Sequence, residues 1–116
     1  IIPEALAKVA LALAGVSPDL STARVGEVLV STPAHILDAE LLGDVLRIRL
    51  RWPYEGPVHV LVNVPALSVW KGQIQLQEVG DLDAVAEGWK VSPQLNATIV
   101  KVTLSGAEEL RITLKG

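Results

Sequence analysis

Apolar and polar residues alternate along most of the chain, from about residue 23 onward. In several stretches an apolar side chain occupies every second position, and Gly, Pro, Asn, Asp or Ser separates one stretch from the next. This period of two is typical of strands that bury one face and leave the other in water. The segments predicted as strands are 24–31, 35–42, 45–52, 58–64, 67–79, 96–104 and 110–115. Because each strand has one polar face, the pattern favours antiparallel pairing. It predicts a mainly β fold, an antiparallel β-sandwich or barrel of about seven strands.

The first residues of the chain have a different pattern, and two interpretations of it stay open. Val9, Leu11 and Leu13 alternate with alanines, which suits a strand donated to a neighbouring subunit. Alanine is also a strong helix former, and Gly15 follows as a helix stop, which favours a short N-terminal helix over residues 3–14. In either case we expect an apolar docking element at residues 1–16.

The most informative segment is a hairpin around Gly43-Asp44. A two-residue loop with Gly first is typical of a type II′ turn, which fixes the register of the two strands that it joins. The predicted cross-strand pairs are Leu42–Val45, Leu41–Leu46, Glu40–Arg47, Ala39–Ile48, Asp38–Arg49 and Leu37–Leu50. One face of the hairpin is then apolar. The other carries two predicted ion pairs, Glu40–Arg47 and Asp38–Arg49, each worth roughly 0.2–1 kcal/mol.

Three further expectations concern strand pairing and connections. The strand with valines at alternate positions after Gly56 is predicted to join the sheet of this hairpin, through an odd connection or a bulge near Gly56. This register places Leu50 opposite Val58 and Arg49 opposite His59. The last two predicted strands are expected to form a hairpin with each other. Between these, the long segment 67–79 is predicted as a single strand, and Asp81 as the N-cap of one or two helical turns.

Composition and charge narrow the class of protein. The chain has 116 residues, half of them apolar, so we predict a single β-rich domain, with residues 23–116 as its body. The formal net charge of −3 argues against a nucleic-acid binder. The absence of Cys excludes disulfides, Cys-ligated zinc and thiol catalysis, and the lack of Met and Phe with few Asn fits a thermostable protein. The longest apolar stretch is too short to cross a bilayer, so no transmembrane segment is predicted.

The sequence offers little catalytic chemistry. Its two histidines, His35 and His59, fall on opposite strand faces in the predicted registers, so they do not converge on a metal ion. No serine lies in the G-x-S-x-G turn that exposes a nucleophile, and no phosphate-binding or dinucleotide-binding loop is present. We therefore predict no catalytic residue, no metal site and no cofactor. The sequence favours a protein that is not an enzyme over the other hypothesis that stays open, a small enzyme that works by pocket shape and one carboxylate or His59.

A few residues are candidates for contact with a partner. Arg47, Arg49 and Arg51 occupy alternate positions on the polar face of the hairpin, and of these Arg51 has no predicted carboxylate partner. Tyr54 lies at the tip of the next predicted turn. These two residues, with Val9, Leu11 and Leu13, are the predicted partner contacts. Trp52 and Trp70 are predicted core residues in a chain without Phe. Asn96 begins an Asn-Ala-Thr triplet and is a possible glycosylation site.

These observations favour a non-catalytic structural or protein-interaction module. We expect it to self-associate, as a subunit of an extracytoplasmic assembly that uses its apolar N-terminal segment as a docking element. The alternative is a carrier that holds an apolar small molecule or lipid in a β-walled pocket.

Overall fold

Two five-stranded antiparallel sheets pack face to face in the structure, a computed structural model that describes residues 21–115. The prediction of a mainly β, antiparallel fold is confirmed, and of the two predicted architectures it is the sandwich that forms. The predicted N-terminal helix or donor segment lies outside the described residues.

The ten strands of residues 21–115 divide equally between two sheets. In sheet A the spatial order is β1 (Ser21–Val25), β2 (Val28–Thr32), β5 (Pro57–Val62), β9 (Ala97–Thr103) and β8 (Gly88–Ser92). In sheet B the order is β3 (His35–Leu42), β4 (Val45–Trp52), β10 (Gly106–Leu114), β6 (Ala66–Lys71) and β7 (Ile74–Leu76).

The core lies between the inner faces of the sheets and consists of the alternate residues of each strand. From sheet A the inward side chains are mostly valines, with Trp89 of β8, and from sheet B they are mostly leucine and isoleucine. The members with no solvent exposure include Val30, Val58, Val60, Val62 and Val100 from sheet A, and Leu46, Ile48, Leu50, Leu110 and Ile112 from sheet B. Burial of each such side chain contributes roughly 1.5–3 kcal/mol relative to leaving it in water.

The β3–β4 hairpin forms in the predicted register for five of its six pairs. A type II′ turn requires a positive φ at its first central residue and not at its second. Gly43 has a φ of 66° and Asp44 is not at positive φ, so both residues meet this requirement. The pair Leu37–Leu50 was predicted wrongly, because the ladder has a bulge between Ile36 and Asp38 and Ile36 takes the place opposite Leu50. Leu37 is consequently exposed.

A second Gly-first turn divides the predicted strand 67–79. Gly72, with a φ of 58°, and Gln73 close a two-residue hairpin between β6 and β7. The prediction of a single long strand was therefore wrong. Residues on the two sides of this turn belong to different strands, so they do not follow one continuous inward and outward alternation. Val69 and Leu76 face inward, whereas Trp70 pairs with Gln75 and faces outward instead of entering the core. A third turn of this kind joins β1 to β2, which accounts for part of the excess over seven strands.

Two predicted pairings were wrong because neighbouring strands in the chain enter different sheets. β5 pairs with β2 and β9, so its valines meet β4 across the core rather than beside it. β9 and β10 do not form a hairpin with each other, since β9 belongs to sheet A and β10 to sheet B. Asp81 does cap a short turn, Leu82–Ala84, whose helix is of the 3₁₀ type.

Candidate interaction face

The outer face of sheet B shows four rows of side chains that run across the strands. The ladder registers define each row, because outward residues that pair in register lie side by side. From one end of the face to the other, the rows are Leu42–Val45–Thr113–Ser68, then Glu40–Arg47–Arg111–Trp70–Gln75, then Asp38–Arg49–Glu109, and finally His35–Arg51–Ala107.

The first two rows contain an apolar area at one end of this face. Leu42 and Leu67 are 58% and 59% exposed. Leu67 is exposed because the register shifts between Thr113 and Leu114, which leaves Leu67 without a partner on β10, between the inward residue Ala66 and the outward residue Ser68. A shallow depression of 260 Å³ lies nearby, lined by Val45, Trp70, Arg111 and Thr113. These six residues, Leu42, Val45, Leu67, Trp70, Arg111 and Thr113, are called the Trp70 patch below.

Beside the Trp70 patch, the guanidinium of Arg47 contacts carboxylates on both neighbouring strands. It contacts Glu40, its predicted partner on β3, and its Nη1 lies 3.2 Å from Oε1 of Glu109 on β10. Asp38 Oδ2 lies 3.7 Å from Nη2 of Arg47, and no ion pair within 4 Å joins Asp38 to Arg49 in residues 21–115. The predicted Asp38–Arg49 ion pair is thus replaced by a diagonal contact, although the two residues do pair in register.

Arg111 connects the charged rows to the depression. Its Nη2 donates a hydrogen bond to the carbonyl oxygen of Gly72 at 2.9 Å, and its Nε lies 3.9 Å from Oε2 of Glu109. These contacts hold the guanidinium next to the exposed side of Trp70. An indole, a guanidinium and aliphatic side chains on one surface resemble the composition of energetic centres in protein–protein interfaces.

The predicted contact residues do not join the Trp70 patch. Arg51 is exposed in the fourth row, across from His35 and Ala107, about 20 Å along β4 from the first row. Tyr54 is exposed in the turn after β4, and its ring meets that of Trp52 edge to face with centroids 5.0 Å apart. Val9, Leu11 and Leu13 lie outside the described residues.

The possible glycosylation site lies elsewhere. Asn96 is exposed in the turn between β8 and β9 with a φ of 50°, a conformation that Asn tolerates better than most residues. Its modification stays a prediction.

Sequence reasoning missed the Trp70 patch because it treated Gly72 as a strand residue. The signal that could have found it is the tripeptide Gly72-Gln73-Ile74. It has the same pattern as Gly43-Asp44-Val45 at the β3–β4 turn, a Gly followed by one polar and one apolar residue. With that turn in place, the alternation of β6 puts Trp70 on the solvent side.

The fold changes the titration of His59. It lies on the outer face of sheet A, far from its predicted position opposite Arg49. Burial lowers the pKa of His59 from its ordinary value of 6.5, the Lys101 ammonium lowers it further, and the Asp83 carboxylate opposes both effects. Its Nδ1 is buried and has no hydrogen-bond partner in residues 21–115.

The described part of the chain contains no group of three or more His, Asp or Glu side chains placed to hold a metal ion. Within residues 21–115 there is also no helix of the length and hydropathy needed to cross a membrane. Comparison of the chain with protein-family models, with curated proteins and with solved structures found no match.

Proposed function

We propose that this chain is a non-catalytic interaction module that associates with a second copy of itself through the Trp70 patch. A further part of the proposal is that its apolar N-terminal segment, residues 1–16, serves as a docking element. The observation that carries the self-association is the outward orientation of Trp70, which lines a depression with Val45, Arg111 and Thr113, on the same face as two leucines that are more than half exposed.

Leaving the Trp70 patch in water is unfavourable. Apolar area that is removed from water contributes roughly 25 cal/mol per Å², and contiguous exposed apolar patches usually mark contact sites. Next to the patch, the outward side chains of β3, β4 and β10 are mostly arginines and carboxylates. The Trp70 patch is therefore an apolar centre with a charged border, which is the usual anatomy of an interface.

A second copy of the chain suits the charges around this centre. On β3 the outward residues Asp38 and Glu40 are acidic, whereas on β4 they are arginines. A two-fold axis that brings two patches together can set the acidic strand of one copy near the basic strand of the other. Both signs of charge on the same face thus make it self-complementary.

The alternative function, a carrier of an apolar molecule, has no comparable observation in its favour. Within residues 21–115 the space between the sheets is filled by fully buried Leu, Ile and Val side chains. The depression beside Trp70 is shallow and partly lined by a guanidinium and a hydroxyl.

Sedimentation velocity on three forms of the full chain locates the contact. We expect the double variant Leu42→Gln/Leu67→Gln to dissociate at concentrations where the unchanged chain is associated, because its patch is no longer apolar. The matched control is Ile74→Gln on the edge strand β7, whose side chain is 61% exposed and lies outside the patch. Equal association of the double variant and the control would contradict the proposal.

A further inference from the structure

The outer face of sheet A is unusual because side chains on it are buried. Along β2 and β5 the inward residues are Val30, Val60 and Val62, so the intervening residues point away from sheet B. Even so, Leu29, Ser31 and Leu61 are only 3%, 1% and 3% exposed. Leu29 and Leu61 do not belong to the core between the sheets.

The outer face of sheet B provides an internal comparison. Its outward residues on the equivalent inner strands, such as Val45 on β4 and Thr113 on β10, keep intermediate exposure. A side chain on an uncovered sheet face therefore stays accessible in this protein. The burial of Leu29 and Leu61 requires a layer over the outer face of sheet A.

Part of that layer comes from the connection between β7 and β8. Nζ of Lys101, which projects outward from β9, donates hydrogen bonds to the carbonyl oxygens of Leu82 and Val85, both at 2.9 Å. These contacts hold the connection over β9, next to the β8 edge of the sheet. The residues on β2 lie on the opposite side of β5, towards β1.

We propose that residues 1–16 of the same chain form the rest of this layer and pack on Leu29 and Leu61. The chain enters sheet A at Ser21 in the edge strand β1, directly beside β2. Five strands span about 19 Å. The predicted N-terminal helix of about 12 residues would be about 18 Å long, so it matches the width of the face.

This placement rests on the docking role proposed for residues 1–16 and names its site. Of the two interpretations of the segment, it favours the helix. A donated strand adds to the edge of a sheet, where unpaired backbone groups are available, whereas Leu29 and Leu61 belong to a face. The occupant of a face is held by side-chain packing, which a helix with one apolar stripe provides.

The lack of native Cys permits a direct test with introduced thiols in the full chain. We expect the pair Val9→Cys/Leu61→Cys to be joined within one chain by a short bifunctional maleimide. The control pair Val9→Cys/Ala107→Cys places the second thiol on the outer face of sheet B, outside the Trp70 patch, and we expect no joining there. Ile99→Cys, opposite Leu61 in register, replaces Leu61→Cys if that variant does not fold.

A second readout is the rate of thiol labelling in single-cysteine chains. We expect Leu61→Cys to react at least roughly tenfold more slowly than Ala107→Cys, which is exposed outside the Trp70 patch, since labelling at Leu61 requires the layer to open. Adding Leu6→Asp and Leu13→Asp, at helical spacing from Val9, should raise the Leu61→Cys rate towards that of Ala107→Cys.

Two results would overturn the inference: equal labelling of the two positions in the otherwise unchanged chain, or joining of Val9→Cys to Leu61→Cys only between chains. The same cross-link is measured in the Leu42→Gln/Leu67→Gln background. A failure of self-association leaves joining within the chain intact, so the two proposals fail separately.

Discussion

Arg47 is the residue that balances the charges on the outer face of sheet B. Its guanidinium contacts Glu40 on one neighbouring strand and Glu109 on the other, with Asp38 at 3.7 Å. Its side chain is 34% exposed, so water screens these contacts and each contributes modestly. Without it, three carboxylates on adjacent strands would face one another with less compensation.

We expect Arg47→Met to lower the free energy of unfolding by about 1 kcal/mol, because cross-strand charge pairs contribute roughly 0.2–1 kcal/mol each. The comparison is Arg51→Met on the same strand face, where the residues in register are His35 and Ala107 rather than carboxylates. Urea unfolding of both variants measures the difference. If the two substitutions cost the same, the described cluster does not stabilise the fold.

His59 predicts a dependence of stability on pH. Its pKa in the folded chain is lowered by burial and by Lys101, so the unfolded chain binds a proton there more readily. The free energy of unfolding should consequently decrease as the pH falls below 6.5, and the contribution of His59 should be constant above that value. Urea unfolding between pH 5.5 and pH 8 should show a shallower decrease for His59→Gln, and equal slopes would contradict the assignment.

At the level of elements, the Gly-first turns set the hairpins and the direction of their side chains. Gly72 has a φ of 58° and Gly43 a φ of 66°, and no atom of another part of the chain would meet a Cβ at either position. The need for Gly is therefore one of backbone conformation and not of space, because L residues rarely adopt positive φ.

We expect Gly72→Ala to lower the free energy of unfolding by about 1–2 kcal/mol, the cost of a left-handed backbone conformation for an L residue. Gly80→Ala is the matched control, since it also adds a Cβ in open space but its φ is not positive. Its effect should stay within about 0.5 kcal/mol. Thermal or urea unfolding distinguishes the two, and an equal effect would show that the β6–β7 turn does not require Gly.

The β3–β4 hairpin could be predicted from the sequence, whereas the β6–β7 hairpin could not. Around Gly43 the turn, the apolar pattern and the opposite charges on β3 and β4 all agree on one register. Around Gly72 the flanking residues alternate without interruption if the Gly is counted as part of a strand, so periodicity alone conceals the turn. The bulge at Leu37 was equally hidden, because its cause is pairing geometry and not composition.

At the scale of the whole molecule, alternation predicts which residues face a core but not which sheet a strand enters. The valines of β5 face inward whether they lie beside Leu50 or across from it. The separation of β9 from β10 is decided by long-range packing, which short-range pattern does not report. The residues of the Trp70 patch come from the β3–β4 hairpin and from β6 and β10, which are distant from it in sequence, so the patch could not be predicted before the strand order was known.

The finished sandwich has two different outer faces. That of sheet A is buried around Leu29 and Leu61, whereas that of sheet B presents the Trp70 patch and the charged rows to water. Only the second face is therefore free, within the described residues, to receive another molecule. This asymmetry is the reason for placing self-association on sheet B.

The most direct test of this account is the solution mass of the full chain by light scattering over a wide range of concentrations. One chain has a mass of 12.3 kDa, and we predict a rise towards about twice that mass as the concentration increases. The rise should move to higher concentrations in the Leu42→Gln/Leu67→Gln variant. A mass of 12.3 kDa at every concentration for the unchanged chain would contradict self-association through the Trp70 patch.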